Sequence, residues 1–193
     1  MVTDTLNVLD DLGRKYGTTK ARYPGCKHNY LPFYEQFLAP LRARQITLLE
    51  IGILEGKSLL MWRDYFPHGK IVGMDIEQQN PSVWERIEVE QGDQNNLADL
   101  ERVSKKHGPF DVIVDDAGHV PAHQRFCYEH MLYQLKPGGL YILEDLFGND
   151  GPFEDPQATD HLLNMANRVI FSNSGIVESI AFSSGTSVTR IRD

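Results

Sequence analysis

The sequence predicts an α/β protein with a doubly wound, mostly parallel, seven-stranded sheet that ends in a C-terminal antiparallel hairpin. Short apolar runs alternate with amphipathic segments along the chain, which is the order of strands and helices in a parallel sheet. Residues 177–192 break this alternation and have the pattern of two strands around a Ser-Gly turn. No repeat or long linker interrupts residues 1–193, so we expect a single domain.

The parallel part of the sheet is predicted to contain five strands. Nearly continuous apolar runs are typical of strands that helices cover on both faces. The third strand has the weakest strand pattern of the five. The predicted strands cover residues 46–53, 70–76, 86–93, 110–116 and 139–145.

Helices are predicted between these strands. Residues 58–66 carry an apolar stripe and are followed by a Pro-His-Gly run that breaks a helix. Residues 96–106 are amphipathic, and residues 120–135 form a helix that a Lys-Pro-Gly-Gly run ends. In sheets of this kind, ligands bind beyond the carboxyl ends of the strands, where the strand order reverses.

Composition narrows the classes of partner. The 193 residues carry a net charge of −8, so a nucleic-acid partner held by a basic surface is not expected. No apolar stretch reaches the length of a membrane span, and the acidic N-terminus is unlike a signal peptide. Cys26 and Cys127 lie far apart with no CxxC pattern, so we expect a reducing, cytoplasmic location.

Carboxylates collect at the ends of all the predicted parallel strands. A single acidic residue at such a place is usually a solvated strand end or a helix cap. Because the carboxyl ends of parallel strands share one edge of the sheet, repetition of the pattern favours a functional cleft. The acidic residues are Glu50, Asp75, Asp93, Asp115 with Asp116, and Glu144 with Asp145.

The segment "LEIGILEGKS" has features of a nucleoside site. Gly52 permits a tight turn and Gly56 a close approach, and the following helix start offers free N–H groups to an anion. The spacing is GxxxGxS and lacks the third glycine of dinucleotide sites. Asp75 ends the next strand, where a carboxylate can accept ribose hydroxyls, and Asp93 could meet an adenine amino group. These features suggest S-adenosylmethionine (SAM) as the ligand. Ser58 and nearby N–H groups would bind its carboxylate.

The chain resembles the class I SAM-dependent O-methyltransferases of the mycinamicin and macrocin type, which methylate deoxysugar hydroxyls of antibiotics. The resemblance lies in "LLEIGILEGKSLLMWRDYFPHGKIVGMDI", "GDQNN", "FDVIVDDAGH", "GGLYILEDL" and the N-terminal "KYGTTKARYPGCKHNYLPFYEQF". It covers most of the chain from Tyr16, and catechol O-methyltransferase is similar more distantly. The resemblance implies a Rossmann-like SAM methyltransferase fold.

This resemblance also implies roles for individual residues. Residues 1–45 would be a helical N-terminal segment that contributes to the cofactor site. One Mg²⁺ would bind Asp116, Glu144 and Asp145, and His119 would be the general base. The expected cofactor-binding residues are Tyr16, Thr18, His28, Tyr30, Glu50, Gly52, Ser58, Asp75, Asp93, Gln94 and Asp115.

The chemistry of these residue types agrees with that assignment. Mg²⁺ prefers oxygen ligands and keeps open positions for water and substrate. A metal ion lowers the pKa of a bound hydroxyl, and a neutral histidine can then accept the proton. The expected reaction is therefore methyl transfer from SAM to a hydroxyl of a sugar, a glycoside or another small hydroxylated metabolite.

Several alternatives stay open from sequence. His119 could bond backbone at a helix start, and Glu144 and Asp145 could cap the chain leaving the fifth strand. Alternatively, Asp116, His119 and His123 could together form a zinc site, since the two histidines lie four residues apart. The protein could also be a non-catalytic SAM- or nucleotide-binding module or a dinucleotide-dependent oxidoreductase. Residues 147–160 could form a lid or substrate loop, and homo-oligomer formation is left open.

Overall fold

A computed structural model describes residues 7–24, 28–78, 85–146, 163, 175–183 and 185–193. The strands are β1 (Thr47–Ile51), β2 (Lys70–Asp75), β3 (Ile87–Gln91), β4 (Phe110–Asp115), β5 (Leu135–Leu143), β6 (Val177–Ser183) and β7 (Thr186–Ile191). They form one seven-stranded sheet in the order β3-β2-β1-β4-β5-β7-β6. The strands β1 to β5 are parallel, and β7 is antiparallel to both β5 and β6. The predicted fold class is confirmed.

The main difference from the predicted strands concerns β5. The strand begins at Leu135 and includes the Lys-Pro-Gly-Gly run that was expected to separate a helix from a strand. Pairing with β4 shifts between Phe110 and Val112, and Gly138 has a positive φ of 72°. This irregularity accommodates the extra residues, because a glycine tolerates the left-handed region that other residues avoid.

Five α-helices lie in the described part of the chain. They are α1 (Val8–Tyr16), α2 (Leu31–Leu38), α3 (Lys57–Tyr65), α4 (Leu97–His107) and α5 (Pro121–Met131). Local sequence explains their ends. The Asn7 side chain accepts from the Asp10 N–H at the start of α1, and Asn96 does the same for Ala98 at the start of α4. Gly17, with φ 69°, ends α1.

The sheet is apolar on both faces, and each face has its own helical layer. Leu48 of β1 belongs to the core cluster that contains Trp62 of α3 and Leu9 of α1. Its neighbour Leu49 belongs to the cluster that contains Val103 of α4 and Cys127 of α5. Because side chains alternate along a strand, one continuous apolar run supplies both layers.

This topology determines where a ligand can bind. From β1 the chain builds the sheet outward through β2 to β3, and then returns to β4 on the other side of β1. The crevice at such a reversal lies beyond the carboxyl ends of β1 and β4. The predicted lid segment 147–160 lies outside the described residues. No helix within the described ranges has the length and apolar character that a bilayer span requires.

Candidate active site

A cavity of about 630 Å³ opens at the carboxyl ends of β1, β2 and β4. This volume lies within the usual range of small-molecule sites. Many of the residues predicted from sequence line it together: Thr18, Gly52, Ser58, Asp75, Asp93, Gln94, Asp116 and His119. The predicted location of the cleft therefore agrees with the structure.

Gly52 brings the ends of β1 and β4 together. Its φ of 83° is unfavourable for other residues, and a Cβ atom there would lie 2.3 Å from the backbone oxygen of Asp116. The Asp116 N–H donates to the Ile51 oxygen at 2.8 Å, and the Gly52 N–H donates to the Met74 oxygen at 2.8 Å. A glycine is thus required for Asp116 to lie against the first loop.

Asp75, at the end of β2, organises the same loop. Its Oδ2 accepts from the N–H groups of Ile53 at 2.8 Å and Leu54 at 3.1 Å, and its Oδ1 accepts from the Glu77 N–H at 3.0 Å. An ionised carboxylate has about four acceptor positions, so there is room for a ligand hydroxyl. Asp75 therefore both shapes the cavity and offers a charged acceptor within it.

Ser58 and Glu50 connect the cavity wall to a buried acidic layer. The Ser58 hydroxyl, at the start of α3, donates to Glu50 Oε2 at 2.7 Å. Glu50 is fully buried, and burial raises its pKa against the opposing effects of Lys20 and Ser58. Ser58 lines the cavity but Glu50 lies behind it, so only Ser58 is placed for direct contact with a ligand.

Lys20 lines the cavity and contacts the acidic residues, although it was not among the residues predicted from sequence. Only 2% exposed, it lies in the segment between α1 and α2. Its Nζ contacts Asp116 Oδ2 and lies 3.0 Å from Glu144 Oε1 and 3.2 Å from Glu50 Oε1. Burial alone would lower the pKa of Lys20, but the three carboxylates raise it well above its usual value. The ammonium is therefore charged and balances part of the acidic layer.

Beside Lys20 lies a group of residues with the donor atoms of a metal site. Within the described ranges, one ligand atom each of Asp116, His119 and Asp145 lie within 4.8 Å of one another. His119 Nε2 is 3.5 Å from Asp145 Oδ2 and 3.9 Å from Asp116 Oδ1. His119 and Asp145 both have φ of 50°, a strained conformation that clusters at functional sites.

The predicted metal ligands are thus brought together unequally. Asp116 and Asp145 face the group that includes His119, whereas Glu144 is buried and has Oε1 near Lys20. Burial raises the pKa of Glu144 well above its usual value. His123 lines the cavity but is outside the group, which disfavours the zinc arrangement of Asp116, His119 and His123.

Some residues predicted to bind the cofactor lie elsewhere. Tyr16 does not line the cavity, and its hydroxyl donates to Asp64 of α3. Asp115 is buried, accepts from the Tyr141 hydroxyl at 2.8 Å and has its pKa raised to about 6 by burial. Tyr16 and Asp115 thus contact other side chains of the protein, and their contact with the cofactor stays a prediction.

His28 and Tyr30 lie on the acidic side of the site. The Tyr30 hydroxyl donates to Asp145 Oδ1 at 2.7 Å, and His28 Nδ1 is 3.6 Å from the same oxygen. Neither residue lines the cavity. Both therefore lie against a candidate metal ligand, and their contact with the cofactor stays a prediction.

Comparison with known proteins places this geometry in context. The family described as a methyltransferase domain matches residues 49–146. Mycinamicin VI 2''-O-methyltransferase of Micromonospora griseorubida is 36% identical over 146 residues, covering 72% of this chain and 36% of the relative. Demethylmacrocin O-methyltransferase of Streptomyces fradiae is 34% identical over 166 residues, covering 79% of this chain and 40% of the relative.

Solved structures give a similar result. MycE, a methyltransferase from the mycinamycin biosynthetic pathway in complex with Mg, SAH and mycinamycin VI, matches with a TM-score of 0.85 and 28% identity. The match covers 95% of this chain and 53% of MycE. The chain therefore spans about half the length of MycE and about two fifths or less of the two curated relatives above.

Proposed function

The chain belongs to the methyltransferase-domain family, and from this premise we propose that it transfers the methyl group of SAM to a hydroxyl of a sugar or glycoside with the help of Mg²⁺. The proposal rests on one observation, which is that a candidate nucleoside site and a candidate metal site lie in the same crevice. The cavity contains the glycine turn and Asp75, and at its edge Asp116 and His119 belong to the candidate metal group. Such a meeting is what transfer between a nucleoside cofactor and a coordinated hydroxyl requires.

The cavity supplies the groups that SAM needs. Asp75 would accept a ribose hydroxyl, and the N-terminal N–H groups of α3, including that of Ser58, would bind the carboxylate. Gln94 Nε2 is buried at the cavity and has no hydrogen-bond partner within the described ranges, so it would donate to a ring nitrogen of the base. The surrounding carboxylates favour a sulfonium cation over a neutral ligand.

The acidic group fits Mg²⁺ by its donor chemistry. Asp116 and Asp145 would hold the ion from the ends of adjacent strands, and Glu144 is the third candidate through the oxygen that does not face Lys20. When bound, Mg²⁺ would orient the acceptor hydroxyl and lower its pKa.

His119 is the proposed proton acceptor. Its Nε2 faces the acidic group, where Asp145 Oδ2 at 3.5 Å would stabilise the imidazolium formed when it accepts the hydroxyl proton. The deprotonated oxygen would then bond to the methyl carbon of SAM as the bond from that carbon to the sulfonium sulfur breaks and a neutral thioether leaves. The named relatives are O-methyltransferases, which supports this interpretation over the dinucleotide-dependent oxidoreductase.

Binding and turnover together test the proposal. Calorimetry should detect SAM binding and no comparable NAD binding. Labelled SAM should then transfer its methyl group to one member of a panel of deoxysugar glycosides, only when Mg²⁺ is present. Binding of NAD without SAM would refute the proposed cofactor. SAM binding without transfer to any glycoside would refute the acceptor class and leave the cofactor site intact.

A further inference from the structure

Two residues of the N-terminal segment reach the candidate metal ligands from the same side. Lys20 Nζ contacts Oδ2 of Asp116, and the Tyr30 hydroxyl donates to Oδ1 of Asp145 at 2.7 Å. Both side chains are more than nine-tenths buried, with exposed fractions of 2% for Lys20 and 6% for Tyr30. Neither contact is explained by packing alone, because each places a polar hydrogen on a carboxylate oxygen.

The other oxygen of each carboxylate faces His119. Asp116 Oδ1 is 3.9 Å and Asp145 Oδ2 is 3.5 Å from His119 Nε2. Asp116 and Asp145 are therefore arranged alike. In each carboxylate, one oxygen contacts the N-terminal segment and the other is directed to the candidate metal group. Outer partners of this kind orient metal ligands in proteins.

The backbone couples the two contacts. The Tyr30 N–H donates to the Lys20 oxygen at 3.1 Å, and Ala21 N–H donates to the Thr18 oxygen at 3.2 Å. Lys20 and Tyr30 are thus tied to each other, so displacement of one would move the other. Lys20 also lies near Glu50 and Glu144, which leaves Asp116 as one of three carboxylates around one ammonium.

We propose that Lys20 and Tyr30 are positioning residues of the metal site, each fixing one oxygen of a ligand carboxylate so that the other can bind the ion. This inference rests on the proposed function. It adds that the N-terminal segment completes the metal centre as well as bordering the cofactor cavity. It also assigns Lys20 to alignment of the site, although a positive charge there repels a divalent cation.

The Tyr30 part is tested by Tyr30→Phe, with Tyr34→Phe as the matched control. Tyr34 is buried in the same segment, and its hydroxyl hydrogen-bonds with Thr186 Oγ1 at 2.9 Å instead of with a candidate metal ligand. Calorimetry with Mn²⁺ should give an affinity about 10- to 100-fold lower for Tyr30→Phe. Tyr34→Phe should retain the parent's Mn²⁺ affinity. Equal Mn²⁺ affinity in Tyr30→Phe and the parent, or equal losses in both variants, would overturn this part.

Lys20→Met tests the role of the ammonium, because alignment and repulsion predict opposite changes in Mn²⁺ affinity. If Lys20 aligns Asp116, Mn²⁺ affinity should fall about 10- to 100-fold. If it only repels the ion, Mn²⁺ affinity should rise, and an unchanged or tighter value would overturn the Lys20 part. The thermal midpoint in EDTA should also fall, because three carboxylates would lose their shared cation.

The double variant Lys20→Met/Glu50→Gln separates alignment from charge balance. Removing one charge of each sign should recover thermal stability while Mn²⁺ affinity stays low. Recovery of both, or failure of the single and double variants to fold, would assign Lys20 to stability and overturn its positioning role. If the parent itself binds no Mn²⁺, the metal site of the proposed function is refuted. A parent that binds Mn²⁺ as its variants do refutes only the positioning role.

Discussion

The backbone N–H of Gly118 donates a hydrogen bond to Oε1 of Gln94 at 2.8 Å. This bond ties the loop after β3 to the loop after β4. The second loop carries Asp116 two positions before Gly118 and His119 directly after it. Gln94 also lines the cavity, with an Nε2 that has no partner in the described part of the chain. A ligand that accepts from Nε2 would therefore be coupled to the loop that holds the candidate base.

Gln94→Ala should weaken SAM binding, because it removes both the free amide donor and the acceptor for Gly118. Loss of a buried hydrogen bond of about 1–3 kcal/mol corresponds to roughly a 5- to 150-fold loss of affinity, measurable by calorimetry. Gln94→Glu keeps an acceptor for Gly118 and lacks the amide donor, so it should lose SAM affinity with a smaller effect on thermal stability. Parent-like SAM binding in Gln94→Ala would contradict the coupling.

Asp75→Ala should also reduce SAM affinity, by about 1.5–3 kcal/mol, because a charged acceptor is lost. The structure adds a second cause, since three backbone N–H groups of the surrounding loops lose their acceptor. Asp75→Asn, which keeps one acceptor oxygen, should lose less. SAM affinity of the parent should be the same with Mg²⁺ and with EDTA, because Asp75 and the metal group lie on different strand ends. Unchanged SAM binding in Asp75→Ala would show that the ribose assignment is wrong.

How far sequence could predict this site depends on how local each signal is. Gly52, Asp75 and Asp116 end apolar runs, so strand topology alone places them at one edge. Lys20 had no such signal, because Asp116 lies 96 positions away and no local pattern links the two residues. An excess of converging carboxylates predicts that some cation must balance them, but it does not identify which one.

Tyr16 differs from the prediction in where it lies. A family resemblance placed it near the cofactor together with Thr18, and Thr18 does line the cavity. Helix α1 ends at Tyr16, and Gly17 then turns the chain, so neighbouring residues face different ways. The Tyr16 hydroxyl meets Asp64 and Lys15, a charged contact that follows from tertiary packing of α1 on α3. Short sequence distance therefore did not ensure a shared location.

Metal removal should abolish turnover. EDTA should stop methyl transfer, and Mg²⁺ should restore it. Asp116→Asn should lose metal affinity and activity while remaining folded, since Asp116 is one-fifth exposed and Asn retains an acceptor for Lys20. The control is Asp111→Asn at the opposite end of the β4 strand, where Asp111 accepts from Lys136 and the Thr47 N–H at 2.7 and 2.8 Å. Full turnover in excess chelator would rule out the metal role.

His119 is near enough to both carboxylates to act either as base or as metal ligand, and substitution separates these roles. If it is the base, His119→Ala should keep SAM and Mg²⁺ affinity while the rate falls by roughly 10²–10⁴-fold. The remaining rate should rise with pH, because solvent hydroxide can replace part of the lost proton acceptor. His119→Asn should behave alike, since asparagine tolerates the positive φ of 50° at this position and so controls for backbone strain.

A ligand role for His119 predicts the reverse result. Metal affinity would then fall together with turnover in His119→Ala, and excess Mg²⁺ would restore part of the rate. His123→Ala distinguishes the zinc arrangement, because only a site that includes His123 would lose metal in that variant. We therefore expect metal content, measured on both variants beside the parent, to remain at the parent's level. A loss of metal in His119→Ala alone would identify His119 as a third metal ligand beside Asp116 and Asp145. One donor atom of each of these three residues already lies within 4.8 Å of the other two.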